Sequence, residues 1–174
     1  MEKTVNKKNI YKGKILDLDL LKVKLPNNKT AHREIINNAD AVVILAMDDE
    51  DNVFFVKQYR KAIEEYLLEL PAGKIEKGES PEVSAKRELA EEIGYSTKKF
   101  EFLFSFYSSP GFSKEKIYAY KALDLFPHEE DGDDDEFIEI IKLPLTEALD
   151  NIKNNKITDV KTISAILYYN QFNF

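Results

Sequence analysis

GKIEKGESPEVSAKRELAEEIGY, residues 73–95, is the stretch from which the rest of the chain can be read. Ser80 stands where a helix N-cap is wanted and Pro81 occupies the first turn. Gly94 is a stop signal, so the spacing predicts a helix from Pro81 through Ile93. With ~100° of turn per residue, Glu92 lies ~40° to one side of Glu88 and Glu91 ~60° to the other. All three carboxylates therefore share a face, while Ala85, Leu89 and Ile93 form a separate apolar stripe for a core. Carboxylates so placed repel one another, and a helix keeps them together cheaply when a cation neutralises them. Oxygen ligands favour a hard cation, magnesium or manganese. By itself E-x-x-E-E is more often a solvated acidic face.

Outward from this helix, short apolar runs dominate. Residues 41–47, AVVILAM, are β-branched and wholly apolar, as in a buried strand. Residues 53–58, 66–70, 100–107, 117–122 and 137–143 read as further strands, and 145–151 and 159–171 as two closing helices. At the N-terminal end, residues 10–25 alternate loosely, break at Pro26-Asn27-Asn28, and return as a second extended piece over 32–37. That pattern predicts a hairpin-like arm over 1–39, followed by one domain over 40–174. Strands outnumber helices without regular alternation, which favours an α+β sandwich over a doubly wound sheet.

Composition removes several function classes. The chain of 174 residues has no cysteine and two histidines, His32 and His128. Disulfides, Cys-based zinc sites and a thiol nucleophile are excluded, as is a multi-histidine metal centre. A net charge of -7 argues against general nucleic-acid binding, which needs a basic face. No segment approaches the ~20 apolar residues of a membrane span, and the first residues lack a secretory apolar stretch. The expectation is a cytoplasmic protein.

The glutamates do not stand alone. Gly73, Glu79, Arg87-Glu88-Leu89, Glu91-Glu92 and Gly94-Tyr95 fill every position of G-x5-E-x7-R-E-U-x-E-E-x-G-U, where U is bulky and apolar. Seven fixed residues at ~1 in 20 each make a chance match roughly one in a billion per start point. The stretch resembles the Nudix box. The resemblance implies an α/β/α sandwich with a mixed sheet, preceded here by an antiparallel β arm. It further implies that Glu88 and Glu92 are the main metal ligands, that Glu91 ligates another metal ion or positions water, and that the Ala72 carbonyl completes the shell. Arg87 matches an arginine that orients the glutamates, with Glu79 as its partner or a water-mediated metal contact.

Beyond the box, the chain is similar to the ADP-ribose pyrophosphatase group. The likeness rests on Gly13-Lys-Ile-Leu-Asp-Leu with Arg33-Glu34-Ile35, on Val56-Lys57-Gln58-Tyr59-Arg60, on Pro110 in Ser109-Pro110-Gly111-Phe112, and on the acidic loop before Phe137. It implies that Arg60 and Arg33 contact the diphosphate, a guanidinium fork fitting phosphate oxygens, with an ordinary surface arginine as the alternative reading of each. Pro110 and Phe112 are implied on the substrate side, where a tight turn and a core ring are the plainer alternatives. Glu136 matches a general base on a loop, and Glu139 is its alternate. There is no tryptophan to stack an adenine, and Tyr11 or Phe112 is the available aromatic. The implied reaction is magnesium-dependent hydrolysis of ADP-ribose to AMP and ribose 5-phosphate, in a homodimer built through the arm. Two alternatives stand beside it: another nucleoside diphosphate sugar or dinucleotide as substrate, and a non-catalytic ADP-ribose sensor.

Overall fold

Lysine and asparagine dominate the first strand, a composition that reads poorly as β, yet residues 3–12 are extended. The structure is a computed structural model that describes residues 1–128 and 137–172. The chain divides into two units, one of residues 1–40 with 106–116 and one of residues 41–105 with 117–174.

In the first unit β1 (Lys3–Lys12), β2 (Asp17–Lys24) and β3 (Thr30–Ile36) form an antiparallel sheet in that order. The predicted single extended piece over 10–25 is thus the junction of two strands. Gly13 turns the chain, its N–H donating to the Leu16 carbonyl at 2.8 Å. Nothing apolar marks β1 as a strand because it is exposed at all ten positions. Segment 106–116 is stitched to the end of β3. Ile36 N–H donates to the Phe112 carbonyl at 2.8 Å, and Lys114 N–H to the Ile36 carbonyl at 3.1 Å.

The second unit continues with β4 (Ala41–Ala46), β5 (Asn52–Arg60), β6 (Glu65–Glu69), β7 (Ala72–Lys74), α1 (Pro81–Ile93), β8 (Tyr95–Tyr107), β9 (Lys116–Pro127), β10 (Ile138–Pro144), α2 (Leu145–Lys153) and α3 (Val160–Phe172). The ends of β8 and β9 at 106, 107 and 116 fall in the first unit. One sheet has the order β7-β4-β9-β8, with β4 and β9 parallel and β7 antiparallel to β4, and is therefore mixed. The other has the order β10-β5-β6 and is antiparallel. The expected α+β class with a mixed sheet is what the chain adopts.

β4 explains the layering. Val42, Ile44 and Ala46 point into a cluster with Phe54, Val56, Tyr120 and the α1 stripe Ala85, Leu89 and Ile93. The alternate residues Val43 and Leu45 are also fully buried, on the face where α3 packs with Ala165 and Ile166. A strand covered on both faces must be apolar throughout, which is why 41–47 shows no alternation. Each buried Val, Ile or Leu side chain contributes about 1.5–3 kcal/mol.

Candidate active site

β7 is only three residues long, and its register decides which groups meet α1. Val43 pairs with Ala72, and Val42 with Gly73. Ile44 N–H donates to the Pro71 carbonyl, so the hydrogen-bonded positions alternate through Pro71 and Gly73. Ala72 and Lys74 therefore turn both backbone groups away from β4, toward the sheet edge. Observed bonds agree. Ala72 N–H donates to Glu92 Oε2 at 2.9 Å, and the Lys74 carbonyl accepts from Ser84 Oγ at 3.2 Å and from Arg87 Nη2 at 3.1 Å. The Ala72 carbonyl shares this edge.

Above the edge runs α1. Ser80 caps it, its Oγ accepting from Val83 N–H at 3.3 Å, and Gly94 ends it in the left-handed region at φ 72°. Glu88 and Glu92 are each 8% exposed, deep for carboxylates. A Cβ added to Gly73 would lie 1.9 Å from the Glu88 carboxyl carbon, so the glycine is the floor on which that carboxylate rests.

Arg87 organises the rest. Its Nε reaches Glu79 Oε1 at 3.1 Å, and its Nη1 reaches Glu88 Oε1 at 2.9 Å and Glu91 Oε2 at 2.7 Å. Glu79 Oε2 also accepts from Glu76 N–H at 3.0 Å, which ties the loop before α1 to the same guanidinium. Burial works against the charge on Arg87, but its hydrogen bond to Glu79 and the charges of Glu88 and Glu91 more than offset it, so the guanidinium is held above its ordinary value. Arg87 in turn lowers the Glu79 carboxyl, against burial.

Among the described residues, no three histidine, cysteine, aspartate or glutamate side chains close into a metal-holding group. Glu88 and Glu91 lie on Arg87, and Glu92 on the Ala72 N–H. The donor set still fits a hard divalent cation: two nearly buried carboxylates, a third alongside, a carbonyl on the same edge, and a glycine cradle that a side chain would fill.

The remaining predicted residues are dispersed. Arg60 lies in the second unit and forms a bidentate pair with Glu69, Nε–Oε1 2.7 Å and Nη2–Oε2 2.8 Å. Glu139 pairs with Lys57 at 2.9 Å across β10 and β5. Arg33, Pro110 and Phe112 belong to the first unit. Arg33 binds Glu2 at 2.5 and 3.2 Å; Pro110 sits in the turn closed by Ser113 N–H donating to the Ser109 carbonyl at 2.8 Å; and the Phe112 side chain is exposed. Glu136 lies outside the described residues. Sequence reasoning missed Glu69, Lys161 and Asp159. The available signal was a lone glutamate inside the apolar run 67–70.

The NUDIX domain profile matches residues 37–165. This chain belongs to the Nudix family. It is 44% identical over 169 residues to the ADP-ribose pyrophosphatase of Bacillus subtilis (strain 168), covering 96% of this chain and 91% of that one. It is equally 44% identical, over the same shares, to the methanol dehydrogenase activator of Bacillus methanolicus. Among solved structures, an ADP compounds hydrolase superposes with a TM-score of 0.90 at 24% identity, over 98% of this chain and 93% of the other, which establishes the Nudix fold.

Proposed function

We propose that the chain hydrolyses the diphosphate of ADP-ribose, with magnesium, to AMP and ribose 5-phosphate. The observation that carries this reading is the seating of Glu88 on Gly73 and of Glu92 on the Ala72 N–H, beside an outward Ala72 carbonyl. The similarity to a protein named ADP-ribose pyrophosphatase supplies the substrate. Glu88, Glu92 and the Ala72 carbonyl would hold the cation, with Glu91 as a further ligand. Magnesium, or manganese in its place, supplies charge neutralisation of the diphosphate and a more acidic water when bound.

The protein's own groups do the rest. Arg87 holds Glu88 and Glu91 in place by ion pairs, as the support of a ligand set must. Arg60 contacts the diphosphate, its fork matching phosphate oxygens, and Arg33, Pro110 and Phe112 are the further candidates for substrate binding. Water adds to one phosphorus as the bridging P–O bond breaks, and its proton passes to Glu136, or to Glu139. Residues 1–39 form the dimerisation arm, 40–174 the catalytic domain, and the protein works in the cytoplasm without nucleic acid or membrane.

The test is product analysis with ADP-ribose beside GDP-mannose, NADH, FAD and diadenosine polyphosphates. AMP released from ADP-ribose, lost with EDTA and with Glu92→Gln in a folded protein, is the expected result. Cleavage of another compound with ADP-ribose untouched would replace the substrate. Binding of ADP-ribose without cleavage would make the chain a sensor. The equal similarity to a methanol dehydrogenase activator favours a second reading, activation of a dehydrogenase, checked by adding the chain to a methanol dehydrogenase assay.

A further inference from the structure

A second charged cluster, apart from the helix glutamates, is centred on a carboxylate buried more deeply than they are. Glu69 closes β6 at 1% exposure, where a carboxylate needs partners to be tolerated. Two cations meet it: the bidentate Arg60, and Lys161 in the first turn of α3. Lys161 is held as well by Asp159 at 3.0 Å. Asp159 also caps α3, accepting from Thr162 N–H at 3.0 Å, and the Thr162 hydroxyl accepts from Leu70 N–H at 2.8 Å. The cluster thus grips the strand end that leads through Pro71 to Ala72. Burial raises the Glu69 carboxyl, but hydrogen bonds and charge from Arg60 and Lys161 outweigh it, leaving the group below its ordinary value and ionised. Arg60 differs in keeping its side chain 41% accessible; the hydrogen bond to Glu69 holds it above its ordinary value, against burial.

A buried ion pair is weak evidence for a stability role, since apolar side chains would join β6 to α3 as well. What a carboxylate fork adds is a fixed guanidinium plane. A half-exposed arginine fixed from its buried side is the arrangement a preorganised anion contact requires. Resting on the reading that Arg60 contacts the substrate diphosphate, we infer that Glu69 is a positioning residue. It sets Arg60 from behind, and Lys161 and Asp159 hold Glu69.

The test uses α,β-methylene-ADP, which cannot be hydrolysed, titrated calorimetrically in magnesium, beside KM and kcat for ADP-ribose. Glu69→Asp keeps the buried charge and withdraws the fork by one methylene; Arg60→Lys removes the matching plane. Each should weaken analogue binding and raise KM about tenfold, the loss of one charge-assisted contact, with kcat changed far less. The double variant should be no worse than Arg60→Lys alone, because both remove one interaction. A purely structural Glu69 would lower the thermal midpoint and the active fraction while KM and analogue affinity stayed native. That result, or additive losses in the double variant, overturns the inference. Should Glu69→Asp not fold, Glu69→Gln makes the same comparison at full side-chain length. If the native chain binds the analogue but leaves ADP-ribose intact, the substrate reading fails and analogue affinity alone decides the role of Glu69. No analogue binding by the native chain overturns the role outright.

Discussion

At Gly73 the volume a side chain would take is filled by the Glu88 carboxylate, while the backbone angle is one that any residue adopts. The glycine is there for close approach, not for conformational freedom. Because the clashing atoms are the far end of a flexible side chain, Gly73→Ala should displace Glu88 rather than unfold β7. We expect hydrolysis to fall by about 10–100-fold, the range for a disturbed metal-ligand setting, with the thermal midpoint nearly unchanged. A large drop in midpoint at full specific activity would reverse this account. Residues of the box were legible beforehand, since their spacing is local and each has a short-range job: Ser80 caps, Gly94 turns left-handed, Arg87 reaches one turn on. Glu69 was not, because its partners Arg60 and Lys161 come from other elements, and no local pattern announces a carboxylate that only the tertiary fold neutralises.

Among the elements, apolar strands and capped helices were readable, while β7 and β1 were not. β7 has three residues, too few for periodicity, and is defined by its pairing with β4. β1 buries nothing, so its strand character comes from pairing with β2 rather than from its own pattern. What holds it includes a buried charge: Asp19 on β2 meets Lys7 of β1 at 2.6 Å. The hydrogen bond from Lys7 lowers the Asp19 carboxyl to about 2, with burial opposing and Asn37 and Asn9 assisting. A depressed folded-state value means that the contribution is present above the ordinary value of 3.8 and is lost as pH falls toward 2. The gap in thermal midpoint between the native chain and Asp19→Asn should hold steady from pH 7 to about pH 5 and close below about pH 4. A gap unchanged at pH 3 would show that the Asp19 charge is not what secures β1.

For the whole molecule, the N-terminal sheet ends in a strand carrying Val5, Ile10 and Tyr11 exposed, with Ile15 and Leu16 exposed in the turn that follows. Edge strands and apolar patches of this kind are ordinarily covered. If the arm joins two copies, light scattering at micromolar protein should give twice the 20.1 kDa chain mass, and removing residues 1–12 should return the single mass. A native monomer under those conditions would count against the arm's proposed role.

β4 stands between two kinds of neighbour. On one side β7 joins it through a short excursion of chain; on the other β9 joins it in parallel, Ala41 pairing with Ile117. Parallel pairing of distant segments is slow, because the entropy of closing a long loop comes before the contacts that repay it. Both faces of β4 are buried, so the strand cannot be half finished. The ledge that seats Glu92 therefore reaches its final form only when this long-range pairing has closed, which makes the catalytic groups late arrivals in folding. A nascent chain that has emerged only through Tyr95 carries every residue of the box and, with β9 still to come, none of its chemistry.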